Sequence, residues 1–82
     1  MIFQKWIDTF IQEKEIDLDH FFEFDNQHGF NMMPVSVVIE YIKQLPTDQQ
    51  FNIKNTIVKI DFMNGNVYHF LNYLAKGISK FN

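Results

Sequence analysis

Val58-Lys59-Ile60-Asp61-Phe62-Met63-Asn64-Gly65-Asn66-Val67 reads in two ways, and the choice between them sets the fold. Polar and apolar residues alternate from Val58 to Phe62 as in a half-buried strand, and Asn64-Gly65 is the strongest short signal for a β-hairpin. The residues that follow decide against the strand. Val67, Phe70, Leu71, Leu74, Ala75 and Ile78 recur at three- and four-residue intervals, an amphipathic stripe for which a returning strand has no need. The spacing therefore predicts a helix over 66–79, entered through a tight connection at Asn64-Gly65-Asn66. Lys76 and Lys80 then sit where positive charge complements the C-terminal end of the helix dipole.

Upstream, Thr47-Asp48-Gln49-Gln50 has the form of a capping box, with Thr at the N-cap and Gln three residues on. It predicts a helix over 47–61 carrying Phe51, Ile53, Ile57, Val58 and Ile60. Pro46 closes a preceding helix over 34–45, built on Val35, Val38, Ile39, Ile42 and Leu45, with Pro34 as its first residue. At the start of the chain, Ile2, Phe3, Trp6, Ile7, Phe10 and Ile11 mark a helix over 2–14. Between these, Phe22-Glu23-Phe24-Asp25 alternates, Asn26-Gln27-His28-Gly29 is turn material, and Phe30-Asn31-Met32 reads as a return strand. A short β-hairpin near 21–33 is the preferred reading, with a short helix over 17–24 capped by Asp17 as its rival. The fold class is mainly α (α+β), with about four helices and a hairpin in a single domain over 1–82.

Composition narrows the function. The 82 residues include ten Phe, three Tyr, one Trp and no Cys, so neither disulfides nor thiolate–metal sites contribute. With Ala75 the sole alanine, a thick aromatic core with widely spaced elements is expected. No apolar run approaches the ~20 residues that span a bilayer, and no signal-like leader opens the chain, so a cytoplasmic protein with no membrane association is expected. Charge is polarised. Residues 1–40 carry eight acids (Asp8, Glu13, Glu15, Asp17, Asp19, Glu23, Asp25, Glu40) against Lys5 and Lys14, a net −6. Residues 41–82 carry five lysines (Lys43, Lys54, Lys59, Lys76, Lys80) against Asp48 and Asp61, a net +3. Such polarity steers association, and the absence of Arg removes the planar fork used for phosphate and guanine.

Catalytic and metal motifs are not apparent. Asp17 and Asp19 fit two positions of a calcium loop, but Phe21 and Phe22 follow where ligands and a glycine are required. His20, His28 and His69 lie too far apart for a zinc motif, Ser36 and Ser79 lack a nucleophile's context, and the three glycines match no phosphate-binding loop. No enzyme activity, metal or cofactor is expected. Lys54, Lys59, Lys76 and Lys80, with Tyr73 available for stacking (Tyr68 and Phe81 likewise), offer a candidate nucleic-acid face. The net negative charge and the apolar character of helix 47–61 weigh against it. Phe21, Phe22, Phe24, Phe30, Met32 and Met33 crowd one short region beside the acidic run, and an apolar excess of this kind marks a partner surface.

The stretch from Ile53 through Asp61-Phe62-Met63-Asn64-Gly65-Asn66 to Val67 resembles small uncharacterised accessory proteins of Gram-positive mobile elements, the plasmids, phages and chromosomal cassettes. That resemblance implies an accessory role in replication, transfer or host–element conflict and assigns no site residue. The expected function is a non-enzymatic interaction module that docks on a larger protein or self-associates. The alternative is a nucleic-acid-associated accessory protein using the lysine-bearing C-terminal half.

Overall fold

The computed structural model describes residues 2–26 and 29–80, arranged as α1 (Phe3–Glu13), β1 (Phe21–Asn26), β2 (Gly29–Pro34), α2 (Val35–Lys43), α3 (Thr47–Phe62) and α4 (Val67–Ser79). Four helices and one antiparallel hairpin make a mainly α fold, as the periodicity predicts, with helix ends within two residues of the expected bounds. Over 17–24 the strand reading prevails. Asp17 caps no helix; its Oδ1 accepts from the Asp19 N–H at 2.9 Å in a turn that leads into β1.

The Asn-Gly pair terminates a helix rather than turning a hairpin. Gly65 N–H donates to Ile60 O at 2.8 Å and Asn64 N–H to Asp61 O at 3.0 Å, the paired bonds of a Schellman motif, with Asn64 left-handed at φ +57°. Gly65 is needed for close approach, because a Cβ there would lie 2.9 Å from Ile60 Cγ2 and 3.3 Å from Ile60 O. Asn66 then caps α4, its Oδ1 accepting from Tyr68 N–H at 2.9 Å. The same device ends α1. Ile16 N–H donates to Ile11 O at 3.0 Å and Glu15 N–H to Gln12 O at 3.3 Å, with Glu15 left-handed at φ +53°.

The expected capping box at Thr47 does not form. Pro46 is the N-cap of α3 and Thr47 its first residue, with no side-chain cap. Gln50 instead turns inward, is buried, and donates from Nε2 to Lys43 O at 3.0 Å and to Ile42 O at 3.3 Å, the latter also accepting from Leu45 N–H at 3.2 Å, so it meets the last carbonyls of α2 where Pro46 halts the helix. Gln4 Nε2 of α1 donates to the same Lys43 O at 3.1 Å. The Lys43 ammonium meets Asp8 at 2.8 Å, and that hydrogen bond holds its pKa above the usual lysine value. The end of α2 thus ties three helices together. Two further links join α1 to α3: a Lys14–Asp61 ion pair at 3.2 Å, and Lys54 Nζ lying 5.6 Å from the centre of the Trp6 ring.

The core corrects one expectation from composition. Its most enclosed side chains are Ile7, Ile42, Ile57, Leu71, Val35 and Val38, so its centre is aliphatic rather than aromatic. Of the phenylalanines, Phe3, Phe10 and Phe22 are buried, whereas Phe21, Phe51 and Phe62 are exposed.

Two outcomes test this construction. Glu15→Gly removes a left-handed strain of ~1–2 kcal/mol and adds unfolded-state entropy of ~0.5–1 kcal/mol, so it is expected to raise stability by about 0.5–1 kcal/mol, read as a higher urea midpoint. Gln50→Ala removes the buried amide that links α3 to the end of α2, although Leu45 N–H still meets Ile42 O and Gln4 still meets Lys43 O, and is expected to cost about 1–2 kcal/mol, while the exposed neighbour Gln49→Ala stays within about 0.5 kcal/mol by the same measurement.

Candidate interaction surfaces

Strand period dissolves the single aromatic patch that the sequence suggests. Side chains alternate between the faces of a strand, and the register pairs Phe22 with Met33, Glu23 with Met32, and Phe24 with Asn31. Phe22 and Met33 are 5% exposed and belong to the core, and Phe24 is half-buried against it. Phe21 and Met32 lie on the other face, 50% and 46% exposed, beside exposed Glu23 and Asp25. Phe30 pairs with Asp25 in backbone register; its side chain, like His28 and Phe81, lies outside the described residues. Half of the predicted patch therefore holds the hairpin onto the helices, with Asn31 Nδ2 donating to Ser79 Oγ of α4 at 3.3 Å on that same inner face.

The lysines do not form one face either. Lys54 is half-buried against Trp6 on the α1 side of α3, and Lys59, five residues on, lies about 140° around the helix from it. Lys76 of α4 and Lys80 at its C-cap are exposed, and Tyr73 is exposed on the same helix with its ring stacked 6.5 Å from Phe70.

The most ordered apolar surface falls where the sequence reading did not place a site. At ~100° per residue, Phe51, Val58 and Phe62 fall within a sector of about 40° on α3, opposite the buried Ile53 and Ile57. They are 44%, 45% and 87% exposed, with Met63 exposed at the helix end. A signal was available: Phe51 and Val58 are seven residues apart and cannot share a face with Ile53 and Ile57. The helix is apolar on two sides.

An open cleft of about 300 Å³ is lined by His20, Asn66, Tyr68, His69 and Asn72. The His20 ring sits edge-on between Phe22 at 5.3 Å and Tyr68 at 5.2 Å, and the Tyr68 hydroxyl accepts from the Asp17 N–H at 2.7 Å. Asn72 Oδ1 is buried without a hydrogen-bond partner among the described residues. The cleft gathers imidazole, amide and phenol groups that can hydrogen-bond a small polar molecule, while no carboxylate or serine joins them among the described lining residues. Among the described residues no three His, Cys, Asp or Glu side chains come together as metal ligands, and no helix is long and apolar enough to cross a membrane.

Compared with known proteins, the chain matches no family model, no curated protein and no solved structure.

The hairpin's two faces differ measurably. Phe22→Ala is expected to cost about 3–5 kcal/mol, the usual range for truncating a buried Phe, whereas Phe21→Ala costs under about 1 kcal/mol in the same thermal or urea unfolding experiment.

Proposed function

We propose that this chain is a small non-enzymatic interaction module that docks on a larger protein by laying α3 into an apolar groove. The observation that carries the reading is the stripe Phe51–Val58–Phe62, exposed on the face of α3 opposite the core. Its spacing of seven and then four residues follows the anchor pattern of helix-in-groove recognition. The two aromatic anchors are eleven residues apart, about 16 Å along the axis at 1.5 Å per residue, which sets the minimum length of the groove.

Size favours a larger partner over a second copy. At the stated exposures, the three side chains offer on the order of 300 Å² of surface, taking ~150–250 Å² for a whole aromatic side chain. A stable pair of proteins covers roughly 800 Å² on each side. Two α3 helices packed through this stripe alone fall well short, whereas a groove with walls gains surface from the flanks, where Asn52, Asn55 and Lys59 are exposed.

A photo-crosslinking residue placed at position 51, 58 or 62 in the native cell is expected to give one discrete adduct with a larger protein. The purified pair is then expected to lose at least tenfold in affinity with Phe62→Glu, while the melting temperature of this chain stays within a few degrees. An adduct of twice the chain mass, no discrete adduct, or unchanged affinity for Phe62→Glu overturns the proposal.

A further inference from the structure

The two edges of the hairpin are not equivalent. Val35 N–H donates to His20 O at 2.9 Å, which continues the β1–β2 register outward and fixes its phase. Antiparallel pairs alternate between hydrogen-bonded and non-hydrogen-bonded sites, so Phe22–Met33, Phe24–Asn31 and Asn26–Gly29 are the bonded pairs. Phe21, Glu23 and Asp25 of β1, and Phe30, Met32 and Pro34 of β2, aim their backbone groups away from the partner strand. Two features agree with this phase: Pro34, which has no N–H, occupies a non-bonded site, and Met32 N–H is free to take Asn31 Oδ1 at 2.9 Å.

On β2, then, one outward position lacks a donor and a second has its donor capped. On β1 all three outward positions are non-proline, all three residues are exposed, and none of their amides has a partner among the described residues. Buried backbone amides are almost always paired, so these amides face water. A strand edge left open in this way is a template for another strand.

Charge decides which strand. Glu23 and Asp25 stand on the exposed face of β1, close in sequence to Glu13, Glu15, Asp17 and Asp19. None of these six acids is in an ion pair among the described residues, and the one lysine of the segment, Lys14, is engaged with Asp61. A second copy pairing β1 with β1 in antiparallel fashion about its middle sets Glu23 against Glu23, and a parallel in-register pairing sets Asp25 against Asp25 as well. Like charges directly opposite are destabilising.

We infer that the outer edge of β1 accepts an extended segment of another protein as a third strand, with Lys or Arg on the face of Glu23 and Asp25 and apolar side chains on the face of the inner Phe22 and Phe24. Main-chain hydrogen bonds from Phe21, Glu23 and Asp25 hold the segment, and the acidic face selects it and draws it in. This surface lies apart from the α3 stripe. It shares with the proposed function only the premise that the chain docks on proteins.

The probe is a seven-residue peptide alternating Val and Lys, acetylated and amidated, added to the full chain and followed by amide NMR and hydrogen exchange at ~50 mM salt. Exchange at Phe21, Glu23 and Asp25 is expected to slow at least tenfold, with shift changes centred on β1. A peptide N-methylated on its strand-pairing amides, and one alternating Val and Glu, are expected to bind at least tenfold more weakly. The Glu23→Lys/Asp25→Lys double variant, altered only at exposed positions, is expected to reverse the preference toward the Val/Glu peptide. Strand addition is overturned by no binding at millimolar peptide, by binding that leaves those three amides unprotected, or by equal binding of the N-methylated peptide. Peptide shifts centred on Phe51, Val58 and Phe62 also overturn it, while leaving the helix-in-groove reading intact.

Discussion

Pro46 halts α2, and Gln50 reaches back from the next helix to donate to Ile42 O and Lys43 O at its end. A buried amide donor between Ile42 O and Lys43 O does more than satisfy two acceptors. It fixes the distance and rotation of α3 against α2, and Gln4 brings α1 to the same carbonyl. Hydrophobic burial supplies most of the stabilisation in a chain of this size, but burial has no direction. The shared polar point provides the direction. Lys43 adds to it from its side chain through Asp8, so one residue serves as acceptor for two helices and as cation for α1.

The centre of the molecule uses branched aliphatic side chains, and the aromatic excess moves outward. Ile7, Ile42, Ile57 and Leu71, one from each helix, are almost wholly enclosed, and Ala75 of α4 is fully buried. Phe3, Phe10 and Phe22 join that core. A phenylalanine count therefore overstates how aromatic the interior is: the rings that the core cannot seat define the surface of α3 and the outer face of the hairpin.

Helix positions were legible in the sequence because three- and four-residue spacing survives any choice of partner, as the stripe from Val67 to Ile78 illustrates. Asn64-Gly65 was ambiguous for a physical reason: the left-handed residue that a type I′ turn needs is also what a Schellman cap needs, and only the helical stripe beyond it separates the two. Thr47–Gln50 misled because a Gln at the third helical position serves the previous helix as readily as its own N-cap, a choice set by tertiary geometry. The surface was harder still. Phe22 and Met33 differ from Phe21 and Met32 by one residue each, and only the register with its buried face sorts them. For α3 the pattern was present but hidden, since a helix with two apolar sides has a weak overall amphipathicity and gives no single face to notice.

That two-sidedness bears on how the chain finds its fold. Turned by half a revolution about its axis, α3 could offer Phe51, Val58 and Phe62 to the core in place of Ile53, Ile57 and Ile60, exchanging one apolar stripe for another of comparable size. A search guided by hydrophobicity alone meets two competing rotational states. Polar and charged groups lift the degeneracy, because only one rotation lets Gln50 meet the end of α2 while Lys54 lies over Trp6 and Asp61 meets Lys14. The sparse polar contacts of this domain act as a rotational key, and the energy gap that makes the native state unique rests on them more than on the area they cover.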